Sequence, residues 1–198
     1  EVTPRIEYYS GERPIFDLYS IEEEIQRALE RTVQLKSGGL LVVVQTEAMT
    51  TIDVNTGAFV GRRNLEDTIF RTNLEAAQSI VRQLRLRNIG GIIIVDFIDM
   101  ADEEHRRQVM RAFERLLSRD RTPCSITDMS GLGLVEITRK RTRESLERMM
   151  TESCPVCDGR GTQKTPQTVC YEIFREVVRQ ARAFDAKGHM ILAAQAVI

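Results

Sequence analysis

Apolar positions along this chain follow two different periods, and the period changes from segment to segment. In "SIEEEIQRALER" Ile21, Ile25 and Leu29 recur every four residues behind Ser20 and three glutamates. That spacing predicts a short amphipathic helix with Ser20 as its N-cap. Lys36-Ser37-Gly38-Gly39 ends it, and "LLVVVQTEAMTTIDVN" then supplies two strands around a polar turn at Glu47. The second strand delivers Asp53 to its far end. Asn64 is placed to cap a long helix, "LEDTIFRTNLEAAQSIVRQLRLR", whose apolar stripe runs through Leu65, Ile69, Leu74, Ala77, Val81 and Leu84. Gly90-Gly91 breaks it.

The run "IIIVDF" has the composition of a strand buried on both faces. A helix over about 102–118 follows, opening on Asp102, Glu103 and Glu104, and "CSITDM" and "GLGLVEITRK" read as two further strands. Residues 1–19 mix Pro4, Gly11 and Pro14 with scattered aromatics and read as irregular. Strands alternating with helices define an α/β fold, with the sheet order left open. After residue 150 a Gly-rich loop with two cysteines leads to a helix from Thr168 to about Ala183, and the apolar run "GHMILAAQAVI" is predicted to be a strand.

Composition narrows the class. An apolar fraction of 42% with 29% charged residues is that of a soluble globular protein. No run approaches the roughly 20 apolar residues that cross a bilayer, and no signal pattern opens the chain, so the expected setting is cytoplasmic. A net charge of -1 gives no general affinity for nucleic acid, which leaves only local clusters. Arg82, Arg85 and Arg87 form one, and Arg139, Lys140, Arg141 and Arg143 another; each reads as a solvated face or as a phosphate-binding patch. The chain starts at Glu1, and both ends break off without terminal signals, as expected for a piece of a longer protein.

Candidate chemistry gathers at two acidic strand ends. In open α/β sheets functional groups collect where strands finish, and Asp53 and Asp96 both stand there. Two carboxylates brought together repel unless one is protonated or a cation lies between them. Mg²⁺ suits such a pair, because it takes oxygen ligands, keeps several waters and uses one or two carboxylates beside substrate phosphates. Asn55, two residues beyond Asp53, faces the same side and can fix a carboxylate's rotamer, while Gly57 permits a turn. The competing reading makes each Asp a turn former or helix cap. Asp99 reads as a cap or supporting group, and His105 as a solvent-facing residue on a charged helix.

In "CPVCDGRG" Cys154 and Cys157 stand at the spacing of half a tetrahedral zinc site. Cys124 and Cys170 read as buried small residues, so a second copy of the chain is the expected source of the other two thiolates: a zinc-stapled homodimer. A redox CxxC is the rival, although such motifs open a helix directly after a strand. The loop also resembles the zinc modules of chaperones, which repeat the pattern several times.

Taken together, "TTIDVNTGAFVGRRNLEDTIFRTNLEAA", "RQLRLRNIGGIIIVDFIDM", "GLGLVEITRKRTRESL" and "CPVCDGRGT" resemble the ribonuclease E/G family over nearly the whole chain. The resemblance implies a Mg²⁺-dependent endoribonuclease that cuts single-stranded, A/U-rich RNA to 5′-phosphate and 3′-hydroxyl ends in ribosomal and messenger RNA metabolism. It implies that Asp53 and Asp96 hold Mg²⁺, that Asn55 orients an aspartate, and that Cys154 and Cys157 share Zn²⁺ between two protomers. The implied domains are 1–28, the tail of a ribonuclease-H-like subdomain; 29–150, a deoxyribonuclease-I-like catalytic subdomain with a mixed sheet and flanking helices; 151–164, the zinc link; and 165–198, the start of a small α/β domain. The family's S1-type RNA-binding domain and 5′-end pocket have no counterpart in these residues. Arg139, Lys140 and Arg141 are the RNA-contact candidates. The alternative from another class is a zinc-linked assembly module whose strand-end acids are structural.

Overall fold

The computed structural model describes residues 8–56, 65–184, 188–195 and 197. Two compact units divide the chain, residues 1–151 and 152–198. In the first, helices α1 (Ile15–Leu18) and α2 (Ile21–Leu29) precede strands β1 (Thr32–Gln34), β2 (Leu40–Gln45) and β3 (Met49–Asn55). Helix α3 (Leu65–Leu86), β4 (Gly91–Asp96), α4 (Glu103–Leu117), β5 (Cys124–Ile126), β6 (Leu134–Arg139) and the short α5 (Leu146–Met150) complete it. The second unit contains α6 (Pro166–Ala183), capped by Thr165 with Pro166 in its first turn.

The sheet runs β1-β2-β3-β4-β6-β5. All its pairs are antiparallel except β3 with β4, which run side by side in the same direction with α3 as their crossover. Alternation does the rest of the positioning. On β3, Thr50, Ile52 and Val54 are buried while Thr51, Asp53 and Asn55 are exposed. Ile93 and Val95 of β4 and Val135 and Ile137 of β6 continue the buried side, where they join Ala76, Ile80 and Leu84 of α3 and Val109 and Phe113 of α4 in one core. Phe97 meets Phe113 edge-on, with ring centres 5.5 Å apart.

Several sequence expectations change. β4 is buried on one side only: Ile92 is 49% exposed, and the side it faces is covered by no helix core among the described residues. An apolar run therefore does not distinguish a doubly covered strand from one whose second side stays open. Ser20 takes a left-handed conformation (φ 50°) and makes no capping bond from its side chain. The helix it precedes stops at Leu29, and Thr32–Gln34 add a short edge strand where no strand was expected. The terminal apolar run forms no strand over residues 188–195, where it finds no neighbouring strand to bond. The Asn64 cap and the Gly57 turn lie outside the described residues.

Candidate metal centre and active site

Asp53 and Asp96 are direct partners in the parallel register of β3 and β4. Each is the last or nearly the last residue of its strand, and each points to the open side of the sheet, because Ile52 and Val95 beside them point into the core. Asn55 donates Nδ2–H to Asp53 Oδ2 at 2.7 Å, which fixes one carboxylate oxygen and leaves the other available. Partial burial, then the charges of Asp53 and Asp99, push the Asp96 carboxyl above its ordinary value. A cation between Asp53 and Asp96 would relieve that repulsion.

The loop after Asp96 is held from below. Asn73, fully buried in α3, donates Nδ2–H to the Ile98 carbonyl (2.8 Å) and accepts the Ile98 N–H (3.1 Å). Phe97 N–H donates to the Gly133 carbonyl at 3.3 Å. Gly133 has φ 77°, and a β-carbon there would sit 3.1 Å from the Phe97 carbonyl and 3.2 Å from Asp99 Oδ1. Only glycine suits both demands. Sequence reasoning missed Asn73. Its signal was a polar residue four positions after Ile69 and four before Ala77, on the apolar stripe itself.

Among the described residues no cluster of three or more His, Cys, Asp or Glu side chains could hold a metal ion. Two carboxylates exposed at neighbouring strand ends still match Mg²⁺, whose remaining positions go to water and phosphate oxygens. His105 is not the solvent-facing residue expected. Its ring stacks on Phe70 with centres 4.3 Å apart, and its nitrogens lie 3.6 Å from Glu66 and 3.9 Å from Asp102.

The three basic candidates separate. Arg139 is buried at 4% exposure; it bonds Asp120 through Nε (2.9 Å) and Nη2 (3.4 Å), Thr122 through Nη2 and the Ile89 carbonyl through Nη1. Its alternation puts it on the core side of β6, so it is a structural ion-pair partner rather than an RNA contact. Lys140 and Arg141 are exposed, and Arg141 Nε donates to the Gly90 carbonyl at 3.2 Å.

In the second unit Cys154 is exposed and Cys157 half-buried. Bonds from the backbone of Val156 and Cys157 and from the Cys157 side chain pull the Cys154 thiol below its ordinary value. Cys157 Sγ accepts the Gly161 N–H at 3.4 Å, and left-handed Asp158, Gly159 and Gly161 turn the loop back on the two sulfurs. Such N–H···S bonds favour thiolates, the form that binds metal. Cys124 donates to the Thr122 carbonyl in the first unit, and Cys170 lies on α6.

An α/β sheet with an open side and a carboxylate pair at two strand ends is accompanied by a family match: the model of the Ribonuclease E/G family covers residues 1–142, and the chain belongs to that family. It is 63% identical over 197 residues to Ribonuclease G of Salmonella typhimurium and 61% identical to Ribonuclease G of Escherichia coli K12, covering 100% of this chain and 40% of each relative. Ribonuclease E of Escherichia coli K12 is 40% identical over 181 residues, which make up 91% of this chain and 17% of that protein. The chain thus spans well under half the length of these relatives.

Proposed function

We propose that this chain carries the catalytic centre of a Mg²⁺-dependent endoribonuclease that cleaves single-stranded, A/U-rich RNA, leaving 5′-phosphate and 3′-hydroxyl ends, in ribosomal RNA processing and messenger RNA decay. The observation that carries the reading is the direct register pairing of Asp53 and Asp96 on the open side of the sheet. When bound by these two residues, Mg²⁺ supplies positive charge for a phosphate oxygen and a more acidic water. Asp53 contributes a carboxylate pre-oriented by Asn55. Asp96 contributes the second charge, with its position set by the Asn73 clamp on the following loop. The half-buried and exposed apolar residues Ile94 and Ile92 line the approach and suit bases better than they suit a hydrated phosphate.

A second observation supports the zinc link. Cys154 and Cys157 present two sulfurs with backbone N–H support, and the reading assigns the other two ligands to a second copy, giving a homodimer around a shared Zn²⁺. A cytoplasmic setting accords with it, since thiols stay reduced there. The alternative, an assembly module without chemistry of its own, rests on the same loop.

Cleavage of a 5′-monophosphorylated A/U-rich strand, with product ends identified and Asp96→Asn run in parallel, tests the reading. Mg²⁺-dependent 5′-phosphate products that vanish in the variant support it. Equal cleavage by both proteins refutes the role of the acid pair, and silence from both favours the assembly module.

A further inference from the structure

At the other end of β3 and β4 from the acid pair lies a cleft of about 310 Å³. It is bordered by Met49, Asn88, Gly90, Arg141, Arg143 and Arg148, with Glu144 as the acidic residue on its rim. Three arginines thus face one glutamate, and none of the three enters an ion pair among the described residues. The other basic cluster differs: Arg82 is bonded to Glu24, and Arg87 is buried against Gln83 and the Glu30 carbonyl. Arg141 is also seated, since Gly90 and Gly91 lie against its side chain and a β-carbon on Gly91 (φ 94°) would come 2.7 Å from its Nε and Nη2. The glycine pair makes room for the Nε–Nη2 edge of the guanidinium, whose Nε donates to the Gly90 carbonyl at the strand's start.

We propose that this cleft binds the phosphodiester backbone of the same single RNA strand whose scissile phosphate lies at Asp53 and Asp96, a few nucleotides away. The inference rests on the endoribonuclease reading and adds a second contact to it. From Gly91 to Asp96 five residues of strand span about 16 Å. The side of the sheet between them carries Thr51 with the exposed Ile92 and half-buried Ile94, and Met49 belongs to both this side and the cleft. A strand laid along β3 and β4 meets arginines at one end, an apolar floor for its bases in the middle and the acid pair at the other. Guanidiniums bind phosphate oxygens in two-pronged fashion, so Arg141, anchored through Nε on the Gly90 carbonyl, and Arg143 and Arg148, without an ion pair among the described residues, form a phosphate clamp rather than a charge ornament.

The test separates binding from cleavage. In the Asp96→Asn background and without Mg²⁺, the affinity of the chain for a single strand of about twelve nucleotides with a 5′-hydroxyl is measured across a salt series. Arg141→Gln/Arg143→Gln/Arg148→Gln is expected to weaken binding at least tenfold at low salt and to flatten the log–log salt slope by about 2, at roughly 0.7 per lost phosphate contact. Arg143→Gln/Arg148→Gln, which leaves Arg141 against the glycines, is expected to give about two-thirds of that change, and Glu144→Gln a tightening. A dinucleotide, which carries one phosphodiester and cannot span the cleft and the acid pair, is expected to bind far more weakly than the longer strand. Unchanged affinity and slope in the triple variant would overturn the proposal while leaving the catalytic reading intact. No binding by the Asp96→Asn parent would likewise overturn the proposal, while the cleavage assay decides the catalytic reading separately. Inorganic phosphate that displaces the strand where chloride of equal ionic strength does not would mark a terminal-phosphate site and overturn the backbone assignment.

Discussion

Asn73 and Ile98 form a closed two-bond ring: one amide side chain in the middle of α3 both donates to and accepts from the backbone of one loop residue two positions past Asp96. A fully buried amide in a helix interior is tolerated only when its polar atoms are satisfied, and here they hold the loop that follows a candidate ligand. Asn73→Ala is expected to cost about 2 kcal/mol by leaving the Ile98 N–H and C=O unmatched. If the ring also positions Asp96, the Mg²⁺ concentration needed for half-maximal cleavage rises below the unfolding temperature. A destabilised variant with an unchanged Mg²⁺ requirement would confine Asn73 to folding.

Asp96 is expected to trade stability for function. Its folded-state carboxyl is raised above the ordinary 3.8, so the proton-bound form is favoured by the fold. The contribution is fully present below the ordinary value and is lost as pH rises through the raised one. At neutral pH the ionised Asp96 is therefore a cost, and Asp96→Asn should unfold at a higher temperature than the parent without divalent ions, while losing cleavage. Added Mg²⁺ should stabilise the parent and not the variant. Thermal scans with and without Mg²⁺ read both effects.

The buried pair of Arg139 and Asp120, 4% and 3% exposed, gives the opposite pH behaviour. Burial alone would push the Asp120 carboxyl up, but the bonds from Arg139 and the Thr122 N–H outweigh it and hold it below its ordinary 3.8. Its contribution is present above that value and lost as pH falls through the depressed one. Asp120→Ala is expected to cost about 3 kcal/mol at neutral pH, because Arg139 is left buried and uncompensated. Urea titrations at pH 7 and near pH 3 should show the difference between parent and variant shrinking at the acidic end.

Zinc removal should act on assembly rather than on the sheet. With the Cys154 and Cys157 sulfurs in a separate unit from the β3–β4 pair, a strong chelator or Cys154→Ser/Cys157→Ser is expected to convert a dimer to monomers. The far-ultraviolet signal of the sheet should persist. Sedimentation velocity and circular dichroism report the two outcomes, and a dimer indifferent to chelation would remove the shared-zinc link.

Much of the candidate site was legible because period-two alternation fixes facing directions: once β3 and β4 are recognised, Asp53 and Asn55 must share a side. The local pattern "CPVCDGRG" marks two nearby thiols from spacing alone, and the structure adds backbone N–H bonds to their sulfurs. What could not be read was relational. That Asp53 and Asp96 are register partners depends on β3 and β4 being neighbours despite the long helix between them, which no local period encodes. Arg139 looked like its basic neighbours until strand alternation turned it toward Asp120. Ile92 and Ile94 looked like core because hydrophobicity reports preference, whereas exposure depends on what else packs there.

The parallel pairing of β3 and β4 also acts as an assembly check. Sliding either strand by one residue would turn Asp53 or Asp96 inward and, in the same movement, turn Ile52 or Val95 out of the core. The two carboxylates thus become neighbours only in the arrangement that also buries the apolar residues beside them. A chain that has folded out of step has no paired carboxylates to offer, so the acid pair arises together with the core and not before it.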